Sequence, residues 1–455
     1  MVYGETVYGR EKYTGESMKF YDRCRELAFL RSIREESKTR AQMTVLRGRR
    51  RVGKTALLQE AYGDGDYLYF FVARKDEADL CLDFQAEVAR YFKMSLPGTV
   101  RSFEEIFRFL LELSEREHFT LVIDEFQDFL RVNPSIFSTM QRDWDIWKGR
   151  AKMNLVVSGS INRMMEQIFS AEQPLYGRAT HEFRLDPFPT DTMREILTDC
   201  AHACDSEALL ALWTLTGGVA KYIELLMDGG AFDLESMVGN FISDGSTILN
   251  EGKVLLVEEF RKDYGTYFSI LSLIASGRTS RSEIQDVIGS DVGGYLTKLC
   301  EDYGIVAKKR PFAEEGANRN MLYEIDDHFL RFWFRFVYRY QSAIELKAYG
   351  RLREFILRDY RMFSGKALES YFAKKLSESG EWTRMGSWWD RKGENEIDLI
   401  AVDEFGKRIL FCEVKRNAEK ISAGTLHGKA AVFLRAHANY AAFTPAYRAL
   451  SLSEM

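Results

Sequence analysis

Three features of the sequence predict a multidomain α/β chain. Short β-branched or aromatic runs alternate with helical patterns over residues 19–188, the mark of a parallel sheet covered on both faces. From residue 190 to about residue 262 no convincing strand follows, and beyond it three helical patterns precede a hairpin. The length of 455 residues also exceeds one ordinary domain.

Composition narrows the classes. Hydrophobic residues make up 46 %, enough for each part to bury a core, which excludes a disordered or fibrous chain. A net charge of −5 excludes a globally basic nucleic-acid binder; contact with DNA would need a local basic patch. Cys200 and Cys204 lie one helical turn apart around His202, but no second ligand pair is nearby. They read as thiols, which suits a reducing cytoplasm. The first twenty residues lack an apolar signal region, and no apolar window of about 18 residues exists, so neither export nor a membrane span is expected.

Strands are expected at residues 43–48, 67–72, 120–125, 154–159 and 182–185, with helices at 55–62, 80–92 and 103–116 between them. The chain divides into a tail (1–18), a sheet core (19–188), a helical lid (189–262), a third unit (263–349) and a last unit (350–455). The lid is broken at Gly217-Gly218 and Gly229-Gly230. In the third unit, helices at 264–276, 282–288 and 292–303 precede strands at 305–309 and 321–325, which is winged-helix order. Ser280 and Glu283 stand at capping-box spacing, and Gly304 suits a helix end. Residues 329–340 read as one amphipathic helix with Arg331, Arg335 and Arg339 on a single stripe, packed on a core, with membrane contact as the alternative.

The segment Gly48-Arg49-Arg50-Arg51-Val52-Gly53-Lys54-Thr55 fits G-x-x-x-x-G-K-[ST], and it lies between a strand and a helix, as that motif requires. Its glycines let the backbone amides face phosphates at a helix N-terminus. Lys54 would reach the β- and γ-phosphates of ATP, and Thr55 would ligate Mg²⁺. The apolar run Leu121-Val122-Ile123 ends in Asp124 and Glu125, at the carboxyl edge of the predicted sheet. Asp124 is expected to hold Mg²⁺ and Glu125 to polarise the attacking water. Ser158 or Ser160 could bond the γ-phosphate or the water, with an ordinary turn as the alternative. Arg178 is either an arginine finger or a surface arginine.

The presumed wing carries Lys308, Lys309, Arg310 and Arg319 against Glu314 and Glu315. The third helix sets Lys298 against Asp291, Glu301 and Asp302, a poor electrostatic footprint for DNA. Farther on, residues 396–402 and 407–415 form a predicted hairpin. A turn at 403–406 would pair Val402 with Lys407, Asp398 with Phe411 and Glu396 with Glu413. Glu396, Asp398, Glu413 and Lys415 would then share one face. Ile397, Leu399, Ala401, Leu410, Cys412 and Val414 would form a buried side. So dense a set of carboxylates asks for a cation, and oxygen ligands suit Mg²⁺ or Mn²⁺, with Lys415 positioning a nucleophile. The alternative is a solvated strand end in which Glu413 pairs with Lys415 or Arg416.

These motifs resemble the archaeal-type ATPases of the AAA+/STAND-like P-loop group. The resemblance rests on the segment Phe20 to Leu27, the arginine-rich Walker A, the Ile123-Asp124-Glu125-Phe126-Gln127 Walker B and the Pro174-Leu175-Tyr176-Gly177-Arg178 box. Gly217-Gly218-Val219-Ala220-Lys221-Tyr222 is similar to the family's lid motif, with Ala220 where the family usually has proline. The likeness covers most of residues 19 to 345 and implies ATP as ligand, Arg178 as a finger and Lys221 as a lid sensor. The family also has the winged helix followed by the Phe332-Trp333-Phe334-Arg335-Phe336 helix. The C-terminal pattern resembles the PD-(D/E)xK nuclease core, a restriction-endonuclease-like α/β fold, and such ATPases often carry a domain of this kind. It implies metal ligation by Glu369, Asp398 and Glu413 and catalysis by Lys415, with Ile397 in place of the usual proline. The function expected is Mg²⁺-dependent ATP hydrolysis coupled to a nuclease-like domain acting on DNA. The alternative is an ATP-dependent switch or scaffold binding DNA or protein, and a homo-oligomer or protein partner is open to either.

Overall fold

The computed structural model describes residues 18–63, 66–94, 98–160, 162–202, 204–260, 264–314, 321–390 and 393–455. Glu315 and Arg319 of the expected wing, and the tail before residue 18, lie outside the described residues.

Five parallel strands form the first sheet: β1 (Gln42–Arg47), β2 (Leu68–Phe71), β3 (Phe119–Asp124), β4 (Met153–Gly159) and β5 (His181–Arg184), each within one residue of its expected bounds. Their order is β2-β3-β4-β1-β5. The central strands β3 and β4 are buried along their whole length, because helices cover both faces. Met43, Val45, Leu121, Ile123, Leu155 and Val157 join the core on one face. Leu46, Val122 and Val156 meet Leu57 and Leu58 of the following helix on the other.

The described elements of the lid are all helices: Thr190–Ala201, Ser206–Thr216, Ala220–Asp228, Leu234–Phe241 and Ile248–Phe260. Gly217 and Gly218, at φ 56° and 79°, turn the chain between two of these helices. A Cβ on Gly218 would stand 2.7 Å from the Phe188 carbonyl oxygen.

Three helices (Tyr264–Ala275, Arg281–Ile288, Gly293–Glu301) precede the antiparallel pair β6 (Val306–Lys309) and β7 (Leu322–Ile325). The Ser280/Glu283 capping box forms. The next segment differs from expectation. His328–Phe332 is α-helical, Trp333–Val337 is a π turn and Tyr338–Tyr340 a 3-10 turn, so Arg331, Arg335 and Arg339 do not share one regular stripe. The wider turn accommodates Trp333, Phe334, Phe336 and Val337, all buried, and Trp333 Nε1 donates to Leu249 O at 3.0 Å.

A helix of 30 residues, Tyr349–Glu378, follows; at roughly 1.5 Å per residue it spans about 45 Å. It leads into β8 (Arg384–Trp389), β9 (Glu396–Asp403), β10 (Arg408–Val414), the helix Ala423–Ala436 and β11 (Thr444–Leu450). The sheet order is β11-β10-β9-β8, with β10 and β11 parallel and the other pairs antiparallel.

The β9–β10 register corrects the expected one. Val402 pairs with Ile409 rather than Lys407, because the turn occupies residues 404–407. The Asp403 carboxylate accepts from the Phe405 and Gly406 amides and from Arg408, which holds that turn closed. Continued outward, this register brings Asp398 level with Glu413 instead of Phe411 and Glu396 level with Lys415 instead of Glu413. Both faces are buried, too. Leu399, Ala401, Leu410, Cys412 and Val414 face the long helix and the lid, whereas a register shift in β8–β9 puts Ile397 with Ile400, Val402 and Phe411 under Ala423–Ala436.

Candidate functional site

Because β3, β4 and β1 are neighbours, their carboxyl ends bring the 48–55 loop, Asp124-Glu125 and Gly159-Ser160 to one edge. The loop curls through left-handed backbone at Arg51 (φ 67°) and Gly53 (φ 102°). Gly48 is required by space: a Cβ there would lie 2.7 Å from Leu185 O. Val52 anchors the loop in the core beside Leu57 and Leu58. Lys54 is buried, and its ammonium donates to Gly48 O (2.8 Å) and Arg49 O (3.2 Å). Burial pulls its pKa below the ordinary value, opposed by the charges of Glu125 and Asp124. Thr55 stands exposed in the first turn of Lys54–Tyr62.

Asp124 accepts from the Tyr69 hydroxyl (2.8 Å) and from the Glu125 amide (3.0 Å). Glu125 sits in left-handed backbone at φ 52° and its carboxylate is clamped by Ser160 Oγ (2.7 Å) and Gln127 Nε2. Of the two candidate serines, Ser160 reaches Glu125, whereas Ser158 is fully buried within β4. Hard oxygens from Thr55 and Asp124 beside a lysine suit Mg²⁺ and a phosphate chain. Tyr69 carried no sequence signal; Gln127 lies in the Walker B segment but had no expected role.

In the C-terminal unit, Asp398 accepts from the Val414 amide (2.7 Å) and from Lys415 Nζ (3.0 Å). Lys415 also pairs with Glu413 at 3.2 Å, and Lys429 of the helix Ala423–Ala436 binds both oxygens of Glu413 at 3.2 and 2.9 Å. Glu369 is held by Lys366 at 3.1 Å. Burial raises the Glu369 carboxyl to about 7, with Lys366 opposing and Asp398 adding to the rise. Three lysines thus supply the positive charge that the sequence argument assigned to a cation. Among the described residues no group of three acid, histidine or cysteine side chains converges as a metal set. In this arrangement each of the three acids is paired with a lysine ammonium.

Comparison with known proteins accords with the P-loop geometry. Residues 20–226 match the model of an ATPase domain predominantly from Archaea. That part of the chain is similar to this family, and its parallel sheet and 48–55 loop have a P-loop arrangement. Residues 333–425 match a family of archaeal and bacterial proteins of unknown function. An uncharacterized protein of Methanocaldococcus jannaschii is 28 % identical over 407 residues, covering 87 % of each chain. Among solved structures, a Walker-type ATPase of Pyrococcus abyssi has a TM-score of 0.52 at 21 % identity, covering 70 % of this chain and 96 % of that one. The ORC2 protein of Aeropyrum pernix, in its ADPNP–ADP complexes, has a TM-score of 0.50 at 14 % identity, covering 74 % and 97 %. Both likenesses concern the fold, and both extend past the ATPase domain.

Arg178 lies at the far edge of the ATPase sheet. It pairs with Asp145 (2.9 Å) beside Thr180, whose amide donates to Met43 O at the start of β1. The length of β5, at roughly 3.3 Å per residue, separates it from the P-loop at the opposite edge. A finger role on this chain's own nucleotide does not fit that position. Lys221 reaches the P-loop through its backbone, its amide donating to Arg51 O at 3.2 Å, while its ammonium pairs with Glu224 at 2.6 Å. The Walker A arginines hold other units to the ATPase domain: Arg49 pairs with Asp327, and Arg51 with Glu251 at 2.6 Å.

Proposed function

We propose that the chain is a Mg²⁺-dependent ATP hydrolase in which the nucleotide site is also the joint between the ATPase sheet and the rest of the molecule. One observation carries this reading: Lys54 and Thr55 open a helix directly across from Asp124 and the clamped Glu125. The amides of residues 48–55 receive the phosphates, and Lys54 exchanges its carbonyl partners for phosphate oxygens. Thr55 and Asp124 would hold Mg²⁺, which supplies charge neutralisation at the β- and γ-phosphates. Glu125 polarises the attacking water, and Ser160 orients Glu125. Arg178, if it acts as a finger, serves the nucleotide of a second copy. Glu125→Gln should retain nucleotide and lower turnover by about a hundred- to ten-thousandfold. Unchanged turnover would remove Glu125 from the mechanism.

On this reading the C-terminal unit is the output of an ATP-driven switch, docked on the lid through Trp213, whose indole donates to Ala367 O at 3.0 Å. A winged-helix role for residues 264–325, with DNA or protein as partner, belongs to the same reading. The second reading makes the C-terminal cluster a metal-dependent nuclease, favoured by the meeting of Asp398 and Glu413 at Lys415. It requires the lysine contacts to be given up first. Mn²⁺-dependent nicking of DNA that disappears in Asp398→Ala, with ATP turnover intact, would support it; equal nicking by both proteins would end it.

A further inference from the structure

The apex of the P-loop is strained and held from outside. Arg51 is a non-glycine residue in left-handed backbone at φ 67°, a conformation that side-chain-bearing residues leave unless something retains them. Three contacts retain it, all from the lid. The Arg51 guanidinium pairs with Glu251 at 2.6 Å, its carbonyl oxygen accepts from the Lys221 amide at 3.2 Å, and the Tyr222 ring lies 5.9 Å from the guanidinium carbon. Glu251 is itself fixed. Its side chain is 4 % exposed, Tyr222 OH donates to its second oxygen at 3.3 Å, and Gly252 beside it lies directly against the Trp333 ring.

We propose that Glu251 is a positioning residue for the nucleotide: through Arg51 it holds the loop apex in the curvature that receives the phosphates. Lid placement then sets nucleotide affinity, because the acid reaches the loop only while the helix Ile248–Phe260 lies against it. Glu251 does not touch the nucleotide, and the inference rests on the ATP-binding reading above.

The test is the affinity of the full chain for a fluorescent ATP analogue with Mg²⁺, together with KM and kcat. Glu251→Gln should weaken binding about tenfold and raise KM more than it lowers kcat. Two replacements at position 51 separate strain from contact without altering the buried acid. Arg51→Ala loses the pair but keeps a Cβ in left-handed backbone, whereas Arg51→Gly loses the pair and the strain together. The glycine variant should bind about tenfold more tightly than the alanine variant, and adding Glu251→Gln to it should cost nothing further. Equal affinities for the two position-51 variants, wild-type affinity in Glu251→Gln, or a full Glu251→Gln loss in the glycine background would each overturn the proposal. A wild-type chain that retains no nucleotide would instead overturn the ATP-binding reading itself.

Discussion

At the scale of single residues, charge is the quantity that decides. In the ATPase domain one buried lysine faces two acids, and each acid has its own neutral donor: Tyr69 for Asp124, Ser160 and Gln127 for Glu125. Neutral donors orient a carboxylate without cancelling its charge. The C-terminal acids are treated oppositely, each tied to a lysine ammonium. Glu369 carries a measurable consequence. Its carboxyl titrates near 7 in the folded chain against 4.5 ordinarily, chiefly because it is buried. The folded chain therefore holds a proton that the unfolded chain releases, so the stability from this group is full below the unfolded value and is lost as pH rises toward 7. Urea-unfolding midpoints across that interval should show a falling contribution that Glu369→Gln removes; an identical pH slope in the two proteins would contradict the assignment.

Elements differ in how far the sequence exposes them. The central strands β3 and β4 were legible because burial on both faces writes continuous apolar runs, and the Walker motifs were legible because phosphate binding needs fixed residues at fixed spacing. The π turn at Trp333–Val337 was not legible, since its cause is the packing of Trp333 against Leu249, 84 residues away. β8 and β11 were missed because they complete a sheet whose partners are set by tertiary pairing rather than by alternation within themselves. Nor could the sequence reveal that Lys429, on a helix between β10 and β11, reaches back to Glu413. The turn at Gly217-Gly218 gives the sharpest test at this scale. Alanine at Gly218 must adopt φ 79° and place its Cβ against Phe188 O, so a loss of about 2 kcal/mol or more is expected, seen as a melting temperature lower by several degrees. An unshifted melting temperature would show that the turn can relax.

Over the whole molecule, the cores define the bodies that can move. The ATPase sheet has its own cores on its two faces. The lid, the three-helix unit, the long helix and one face of the C-terminal sheet share a single core, which runs across residues 349–350 where a domain boundary was expected. Separating the C-terminal unit from the lid would expose Trp213, Tyr360, Tyr371 and Leu399 together, which disfavours a swing of that unit alone. The joint with the ATPase sheet is of another kind. It carries the ion pairs Arg49–Asp327 and Arg51–Glu251, and beside it lies a cavity of about 770 Å³ lined by Arg49, Ser160, His328, Lys366, Glu369 and Asp398. Polar contacts exchange partners at far lower cost than a packed core, so a nucleotide that engages the P-loop can bias this joint. The cavity brings Glu369 and Asp398 near the P-loop through space, although more than 300 residues separate them from it in sequence.

Everything in that sequence of events begins with a triphosphate held by the loop at Gly48 to Thr55. Equilibrium binding of labelled ATP to the full chain, with and without Mg²⁺ and alongside Lys54→Ala, measures it directly. Saturable retention that Mg²⁺ strengthens, and that Lys54→Ala abolishes while the variant still melts cooperatively, is the predicted result. Retention by the folded Lys54→Ala protein equal to that of the wild type would contradict the account.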